Sequence, residues 1–441
     1  MTSVYLASCD GYDPDAIARH VRAASDALGV ALPRQGSALL HASLPWSHPR
    51  YAPHAHTHPA VLEGIGRALE GSSVSIGAQS LPGFPTRYSF GKAGYDKLSR
   101  RIGAGLVAFD EGDFRSVSSA RAQGSTFPLP AGRLDASFTV ATPRLTGSTY
   151  LPFAGALRQL YTLLPADVQL AEHHRMGELI AVLAAAAAPD LIVVEAIQAL
   201  HRGGELSGEP VGLGVLIVGT DPVAVDLACA AAYGIPEDEL DFVRFARQNA
   251  DQPSRLSEIE ILGDVSAEEL QERGVRVERI DQRPETADLP SQVKVIRSPN
   301  ASQTGVSGSL REAFAVLERA GVPLGKARES VLVIGQAEEI PPAGSDSAAI
   351  IFMDDTSRAD FKGYTRIVRL TGRTPALARI LMDVPFVLNV ANLRADLGFG
   401  FALARIRGRL SRILGGPGRP RGAAGRPSAP KGGGDPAAEK G

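Results

Sequence analysis

The sequence predicts an α/β protein with a mostly parallel sheet, helices on both faces, a smaller C-terminal α/β unit and a disordered tail. Short β-rich runs alternate with helical patterns through the first 280 residues, which is typical of parallel sheets. Leu191–Glu195 and Gly214–Val218 are almost entirely apolar, as strands buried on both faces are. From Gly415 onward the chain is rich in Gly, Pro, Ala and Arg, so it has too few apolar residues to form a core.

The first 280 residues supply the larger set of predicted elements. The predicted strands are Val4–Ser8, Ala38–His41, Val74–Gly77, Gly105–Phe109, Ala136–Ala141, Leu191–Glu195, Gly214–Val218 and Glu258–Leu262. The predicted helices are Pro14–Leu28, Pro59–Leu69, Tyr95–Ile102, Phe153–Leu163, Met176–Ala187 and Asp221–Tyr233. Pro14 and Pro59 stand in first turns, where proline is tolerated because its missing N–H would have no helical partner.

A polar, proline-containing stretch between Asp281 and Ser291 predicts a domain boundary. Beyond it we expect strands at Val293–Ile296, Ser330–Ile334, Ala349–Met353 and Arg366–Leu370, and helices at Ser309–Ala320 and Pro375–Met382. The predicted organisation is therefore a first domain at 1–282, a small α/β domain at 290–395, a basic amphipathic segment at 396–414 and a disordered tail at 415–441.

Composition excludes several classes of protein. The 441 residues include 46 Lys and Arg against 48 Asp and Glu, a net charge of -2, so no nucleic-acid binding is expected. The longest apolar stretch, Leu179–Ala188, is too short to span a bilayer, and residues 1–6 lead directly into a strand; a cytoplasmic protein is expected. Cys9 and Cys229 are too few for a disulfide framework or a four-cysteine cluster.

Five segments carry a resemblance to a known family. They are CDGYDP (9–14), THP (57–59), GAQSLPG (77–83), PDLIVVE (189–195) and GTDPVAVD (219–226). Together they resemble the domain-of-unknown-function 362 family, a prokaryotic group in which many members carry ferredoxin modules. The resemblance covers roughly residues 1–265 and places an aspartate of the family at Glu195.

The chain departs from the family's pattern at two places. Where the family typically has lysine, proline and asparagine, this chain has His41, Ala42 and Ser43. Where the family usually has a lysine- and histidine-containing turn, residues 142–148 read TPRLTGS. The cysteine clusters of the ferredoxin-bearing members are also missing, so no iron–sulfur cluster is expected in this chain and the cofactor is unknown.

The turn at 219–226 is the first candidate site. Thr220 or Asp221 can cap the following helix, whose free N-terminal amides can take an anion. If the turn lies at the carboxyl edge of the sheet, Gly219, Thr220 and Asp226 become ligand-binding candidates and Asp221 a catalytic candidate. A well-capped helix beside a buried strand accounts for the same residues.

Glu195, at the end of an apolar run, and His58, before a helix, are the other catalytic candidates. An edge carboxylate bonded to nearby amides and a histidine that merely caps a helix are the competing interpretations. Ser80 and Gly83 follow a strand and are candidates for ligand binding through backbone amides. A rigid surface loop explains these residues equally well.

The run His54, His56 and His58 has metal-ligand spacing if the segment is extended. Pro53 and Pro59 flank it, which also suits a loop with solvated histidines. Residues 399–414 place apolar side chains near one helical face and arginines elsewhere, so the segment could contact a membrane surface or a partner protein. A terminal helix packed on its own domain is the alternative.

Two functions follow from these residues. The first is an enzyme or enzyme-like protein that binds a small anion or a divalent metal in a cleft lined by His58, Glu195, Thr220 and Asp221. The second is a degenerate, non-catalytic binding or assembly protein that has lost the family's cofactor site. The first predicts that the four residues converge; the second predicts a filled or collapsed pocket.

Overall fold

The computed structural model of the chain describes residues 2–118, 126–241, 255–279, 289–298, 306–372 and 374–414, together with residues 243, 245 and 253. The predicted tail at 415–441 and most of the predicted boundary at 281–291 lie outside the described residues. No helix in the described ranges is both long and apolar enough to cross a membrane.

The strands run from β1 to β15 in chain order. They are Ser3–Ser8, Ser37–Ala42, Ser73–Ala78, Gly105–Ala108, Phe114–Ser118, Thr126–Pro130, Phe138–Thr142, Arg144–Thr146, Leu191–His201, Glu209–Gly219, Glu260–Gly263, Val293–Arg297, Ser330–Ile334, Ala349–Phe352 and Arg366–Arg369. The α-helices, α1 to α13, are Pro14–Ala27, Pro59–Ala68, Thr86–Lys92, Tyr95–Ile102, Ala131–Leu134, Ala156–Leu160, Ala166–Ala171, Met176–Ala186, Pro222–Ala232, Ala267–Gly274, Val306–Arg319, Leu377–Val387 and Leu393–Leu414.

The larger sheet confirms the predicted fold class. Its strand order is β11-β1-β10-β9-β7-β2-β3-β4, with β8 paired to β9. Apart from β10, which is antiparallel to β1 and β9, the pairings along this order are parallel. Successive residues point to opposite faces: Val193 packs with helices α1, α2 and α4, and Val194 with α6, α8 and α9. Helices therefore cover both faces, and the strands are buried as predicted.

A second, wholly parallel sheet has the order β12-β13-β14-β15. One hydrophobic cluster joins this unit to loops of the first sheet. Trp46 and Phe84, from loops after β2 and β3, stack with ring centroids 4.4 Å apart and share that cluster with α11 and α12. The loops at the carboxyl edge of the large sheet are thus covered by the second unit.

Two elements differ from the predictions in ways that matter for the site. The apolar run Leu191–Glu195 continues as a strand to His201, and β10 begins at Glu209, five residues before the predicted start. The Gly-rich segment between them, residues 202–208, is therefore a hairpin connection, which makes β10 antiparallel to β9. The hairpin of β5 and β6 was not predicted from the sequence.

Candidate functional site

Four chain segments meet around the carboxylate of Glu195, at the carboxyl edge of the large sheet. Glu195 lies in β9 beyond the last residues that pair with β7, so its side chain emerges above the neighbouring strand. Tyr12 comes from the loop after β1, His58 from the start of α2, and Arg144 from β8. Open α/β sheets bind ligands at this edge.

The Glu195 carboxylate is fully buried and uses both of its oxygens. The Tyr12 hydroxyl donates to Oε1 over 2.6 Å, and the backbone N–H of His58 donates to Oε2 over 2.7 Å. Glu195 is 0% exposed, and a buried carboxylate is tolerated only when it is hydrogen-bonded or paired. One of the two donors is a backbone amide, as in the interpretation of Glu195 as an edge carboxylate bonded to nearby amides, and the other is a phenol.

Arg144 is the counter-charge of Glu195 and also joins β9 to the loop before α2. Its Nη2 lies 3.7 Å from Glu195 Oε1 and donates to the carbonyl of Gln198 over 3.0 Å. Its Nη1 donates to the carbonyl of His56 over 3.0 Å. Both partners of this ion pair are almost completely buried, so removing either charge leaves the other without compensation in a water-free environment.

His58 and Tyr12 form the half-buried rim of this cluster. Their rings stack with centroids 3.8 Å apart. Burial, reinforced by the charge of Glu195, raises the pKa of Tyr12, so the phenol stays protonated. Burial also lowers the pKa of His58, and its Nδ1 accepts the N–H of Ala60 as a helix cap. The neutral ring therefore carries its proton on Nε2.

The turn at 219–226 lies at the other edge of the sheet, contrary to the sequence hypothesis. Gly219 pairs with Ile192, at the start of β9, whereas Leu216 pairs with Glu195. Asp221 is five residues beyond Leu216, about 16 Å of extended chain. The antiparallel direction of β10 is the physical reason, and one small ligand cannot touch both His58 and Asp221. The predicted cleft containing Thr220 and Asp221 together with His58 and Glu195 is wrong.

The carboxylates in that turn have structural partners. Asp221 caps α9 by accepting the N–H groups of Val223 and Ala224. Asp226 is buried and accepts the N–H groups of Ala156 and Leu157, at the start of α6, over 2.7 and 3.0 Å. Burial raises the pKa of Asp226 to about 7 against the effect of these two donors. Asp226 therefore joins α9 to α6, which corrects its prediction as a ligand-binding residue.

The three alternating histidines do not form a metal site. Within the described residues, no three side chains of His, Cys, Asp or Glu are arranged to hold a metal ion. The segment bends instead of extending, which leaves His54 exposed, His56 half-buried and His58 at the helix cap. Burial and the nearby Arg144 guanidinium lower the pKa of His56 to about 3. The periodicity argument fails because it required an extended backbone.

The loop after β3 uses its polar groups internally. The N–H of Ser80 donates to Thr86 Oγ1 and its hydroxyl contacts that of Ser89. Gly83 has a φ of +94°, and a Cβ placed there would lie 2.8 Å from Cβ of Ala378, in α12. The glycine is therefore needed for close packing of the loop on the second unit, and neither residue offers a free amide to a described cavity.

A small cavity lies on the other side of Arg144, and we call it the arginine cavity. Its volume is about 20 Å³, the space of roughly one water molecule. Its lining comprises Ser43, Leu44, Pro45, Ala55, Pro143, Arg144, Thr146, Ala154, Gly155, Arg158, Gln159, Thr162 and Glu205. It therefore occupies the carboxyl ends of β2 and β7, under the loop that follows β2.

Arg158 is the residue that the sequence hypotheses missed. It is 5% exposed and its Nε lies 2.9 Å from Oε1 of Glu205, in the hairpin connection. Its Nη1 has no hydrogen-bond partner in the described part of the chain. The sequence carries no clear signal for it, because at about 100° per residue Arg158 lies roughly 60° beyond Tyr161, at the margin of the apolar side of the predicted helix, where a solvated arginine is ordinary.

Two further cavities adjoin these residues. The inter-sheet cavity, about 50 Å³, shares Arg158 and Glu205 with the arginine cavity. It extends to Tyr150 and His173 of the first unit and to Leu377 of the second. An outer groove of about 630 Å³ runs past Gln198 and is lined by acidic and arginine side chains of α10. Arg273 in that groove already donates to the carbonyls of Leu213 and Gly214.

Comparison with known proteins identifies the region that contains this site. Residues 39–231 match the family described as Domain of unknown function (DUF362). The predicted resemblance to this family is confirmed over these residues. The DUF362 match begins inside β2 and ends inside α9, so it includes His58, Arg144, Arg158 and Glu195.

A curated relative and two solved structures resemble the chain. A thylakoid-associated protein of Synechocystis is 22% identical over 178 residues, 38% of this chain and 54% of the relative; the chain thus spans about half of that protein's length. The lactate racemase apoprotein of Thermoanaerobacterium thermosaccharolyticum aligns at 12% identity and a TM-score of 0.34, over 77% of this chain and 69% of its own. A Thermotoga maritima protein aligns at 10% identity and a TM-score of 0.29, over 74% and 71%.

Proposed function

We propose that the DUF362 region binds a small carboxylate anion in the arginine cavity. The observation that carries the proposal is Arg158, a buried guanidinium with Nη1 unpartnered among the described residues, beside a second buried arginine, Arg144. A buried charged donor without an acceptor is costly. An anion in this cavity would supply the acceptor.

The side chain of Glu205 shows which chemistry suits Arg158. Its Oε2 accepts a hydrogen bond from Nη2 over 3.3 Å, and its Oε1 lies 2.9 Å from Nε, an ion-pair contact without the alignment of a hydrogen bond; guanidinium groups pair with carboxylates in this way. Glu205 is 15% exposed on the side chain, so it can turn outward into solvent. A ligand carboxylate would then take its place and keep the local charge balanced.

The volume of the cavity determines the order in which the Glu205 side chain leaves and the ligand carboxylate enters. Because about 20 Å³ holds little more than a water molecule, a carboxylate enters only after Glu205 leaves. Glu205 is therefore an internal competitor of the ligand. The two substitutions at this ion pair must act in opposite directions: loss of Arg158 weakens binding, and loss of the Glu205 carboxylate strengthens it.

Titration calorimetry with formate, acetate, lactate and oxalate tests the proposal. Arg158→Met is expected to lower affinity by about 10- to 100-fold, the range of a charge-assisted hydrogen bond, and Glu205→Gln is expected to raise it. The control is Arg175→Met, because Arg175 also forms an ion pair with a mostly buried glutamate, Glu172, and lines neither cavity. Binding that is unchanged in Arg158→Met, or absent in both wild type and Glu205→Gln, would overturn the proposal.

The second candidate is a binding or assembly protein without a small ligand. The small volume of the arginine cavity favours it, because the ion pair of Arg158 and Glu205 largely fills the position that a ligand would take. In that case Glu205→Gln creates no carboxylate affinity and only destabilises the fold. The same calorimetric series therefore separates the two functions.

A further inference from the structure

The last helix presents an apolar stripe to solvent on the side opposite its packed face. Gly398 has a φ of 67° and interrupts the helix, so a regular segment begins at Phe399. Phe399, Ile406 and Leu410 are 80%, 54% and 48% exposed. Exposed side chains of this size are few in the described part of the chain, and three of them lie on one short helix.

The opposite face anchors the helix to the protein. Phe401 and Ala404 are buried, and the ring of Phe401 makes an edge contact with Tyr88 of α3, with centroids 5.2 Å apart. At about 100° per residue, Phe399, Ile406 and Leu410 fall within an arc of roughly 40°, and that arc lies roughly 180° from the buried pair. The apolar stripe therefore takes no part in the packing of the helix against the rest of the protein.

Arginines flank the stripe, and the segment that carries it has no acidic residue of its own; Asp383 of α12 acts on Arg405 but already pairs with Arg379 and Arg394. Residues 399–414 contain Arg405, Arg407, Arg409 and Arg412 and neither Asp nor Glu. Arg405, Arg407 and Arg409 are exposed. Partial burial and then the positive charges of Arg409, Arg394 and Arg379 lower the pKa of Arg405. The positive charge here is a local excess in a chain whose net charge is -2.

We infer that this helix docks on an anionic lipid surface, with its axis in the plane of the interface. An apolar stripe flanked by arginines is the pattern that inserts among lipid headgroups, where the apolar side chains reach the acyl boundary and the cations meet lipid phosphates. The four basic residues of the following segment, Arg419, Arg421, Arg426 and Lys431, precede the next acid, Asp435, and add to the same attraction.

Charge argues against the two occupants that the protein itself could offer. A second copy of the helix would bring two sets of arginines together without an acid between them. The chain beyond residue 414 contains four basic residues before its first acid and few apolar ones, so it complements neither the charge nor the stripe. An anionic surface complements both.

Vesicle co-sedimentation of the full chain tests the inference. We expect sedimentation with phosphatidylcholine vesicles that contain phosphatidylserine, at least about 10-fold weaker binding to phosphatidylcholine alone, and release by salt. Ile406→Asn should reduce binding by removing insertion, and Arg405→Gln with Arg409→Gln should reduce it and flatten its salt dependence. All these side chains are exposed, so the variants are expected to fold, which circular dichroism checks.

The matched control is Arg366→Gln with Ile367→Asn, an exposed arginine and an exposed isoleucine (51%) on β15. The inference is overturned if wild type does not sediment with phosphatidylserine vesicles, or if Ile406→Asn binds as well as the control. Size-exclusion chromatography that shows a dimer lost in Ile406→Asn would assign the stripe to a second copy. Binding to polyglutamate without binding to vesicles would assign it to an acidic protein partner.

Discussion

Replacement of Glu195 by Gln tests whether the four-segment cluster is held by its charge. The substitution keeps the shape of the side chain but removes the counter-charge of Arg144, 3.7 Å away. In wild type, the Tyr12 hydroxyl and the N–H of His58 donate to separate carboxylate oxygens. In the variant, the single carboxamide oxygen would have to accept both hydrogen bonds. Glu195 and Arg144 are buried, so solvent does not compensate for the lost charge, whereas Tyr12 and His58 are half-buried.

The expected loss of stability can be worked from this geometry. Two unit charges 3.7 Å apart interact by about 4 kcal/mol at an effective dielectric constant of about 20, and unpairing one partner of a buried ion pair typically costs about 3–5 kcal/mol. We therefore expect Glu195→Gln to lower the free energy of unfolding by about 3–5 kcal/mol. The double variant with Arg144→Met should cost at least about 2 kcal/mol less than the sum of the two single variants.

Urea unfolding followed by two probes measures this effect. Trp46 is the sole tryptophan of the chain and is fully buried in the loop layer, so its fluorescence reports on this region, while far-ultraviolet circular dichroism reports on both sheets. The control is Asp135→Asn, because the ion pair of Asp135 and Arg115 is exposed and should be worth less than about 1 kcal/mol. A Glu195→Gln loss no larger than that of the control would refute the reasoning.

Three further predictions concern pH and backbone geometry. Because burial raises the pKa of Asp226 to about 7, above its unfolded value near 4, wild type should lose stability relative to Asp226→Asn as pH rises from about 4 to about 7, measured as the difference in urea midpoints. Burial lowers the pKa of His41 to about 3, below its unfolded value of about 6.5. The free energy of unfolding should therefore fall as pH drops below about 6.5, and it should fall less steeply in His41→Gln. Parallel slopes of unfolding free energy against pH in the two proteins would contradict this. Gly83→Ala should lower the free energy of unfolding by about 1–3 kcal/mol, because the added Cβ contacts Ala378 and the backbone is in the left-handed region. Gly29→Ala, with a φ of +69° but open space around the added Cβ, should lower it by about 1 kcal/mol. Equal decreases in the melting temperature of the two variants would exclude the packing argument.

Local sequence patterns predicted the positions of many helices and strands. Tyr95–Ile102 and Ser330–Ile334 lie where apolar periodicity places them, and Pro14 and Pro59 open their helices as expected of first-turn prolines. Strand direction was the weak point. The apolar runs around Glu195 and Gly219 read alike whether their strands are parallel or antiparallel, and only the short connection at 202–208 decides between them.

The error about strand direction also made the prediction of the candidate site partly wrong. Glu195 and His58 do meet, but Asp221 was assigned to the carboxyl edge because strand-to-helix turns usually lie there in parallel sheets. Arg144 and Arg158 were not candidates because basic side chains in polar turns and amphipathic helices are normally solvated. Their burial depends on Glu195 and Glu205, which are far away in sequence and become neighbours only through the fold.

The position of β1 has a consequence for how this chain is made. Its strand partners are β10 and β11, and Ser8 pairs with Val215, roughly 200 residues later. At a translation rate of about 5–20 residues per second, those partners leave the ribosome about 10–40 s after β1 does. During that interval Val4 and Leu6, which end fully buried, have no sheet to join. Completion of the large sheet therefore depends on synthesis through β11, and a chain that stalls before β10 carries at its N-terminus an apolar strand without either of its partners.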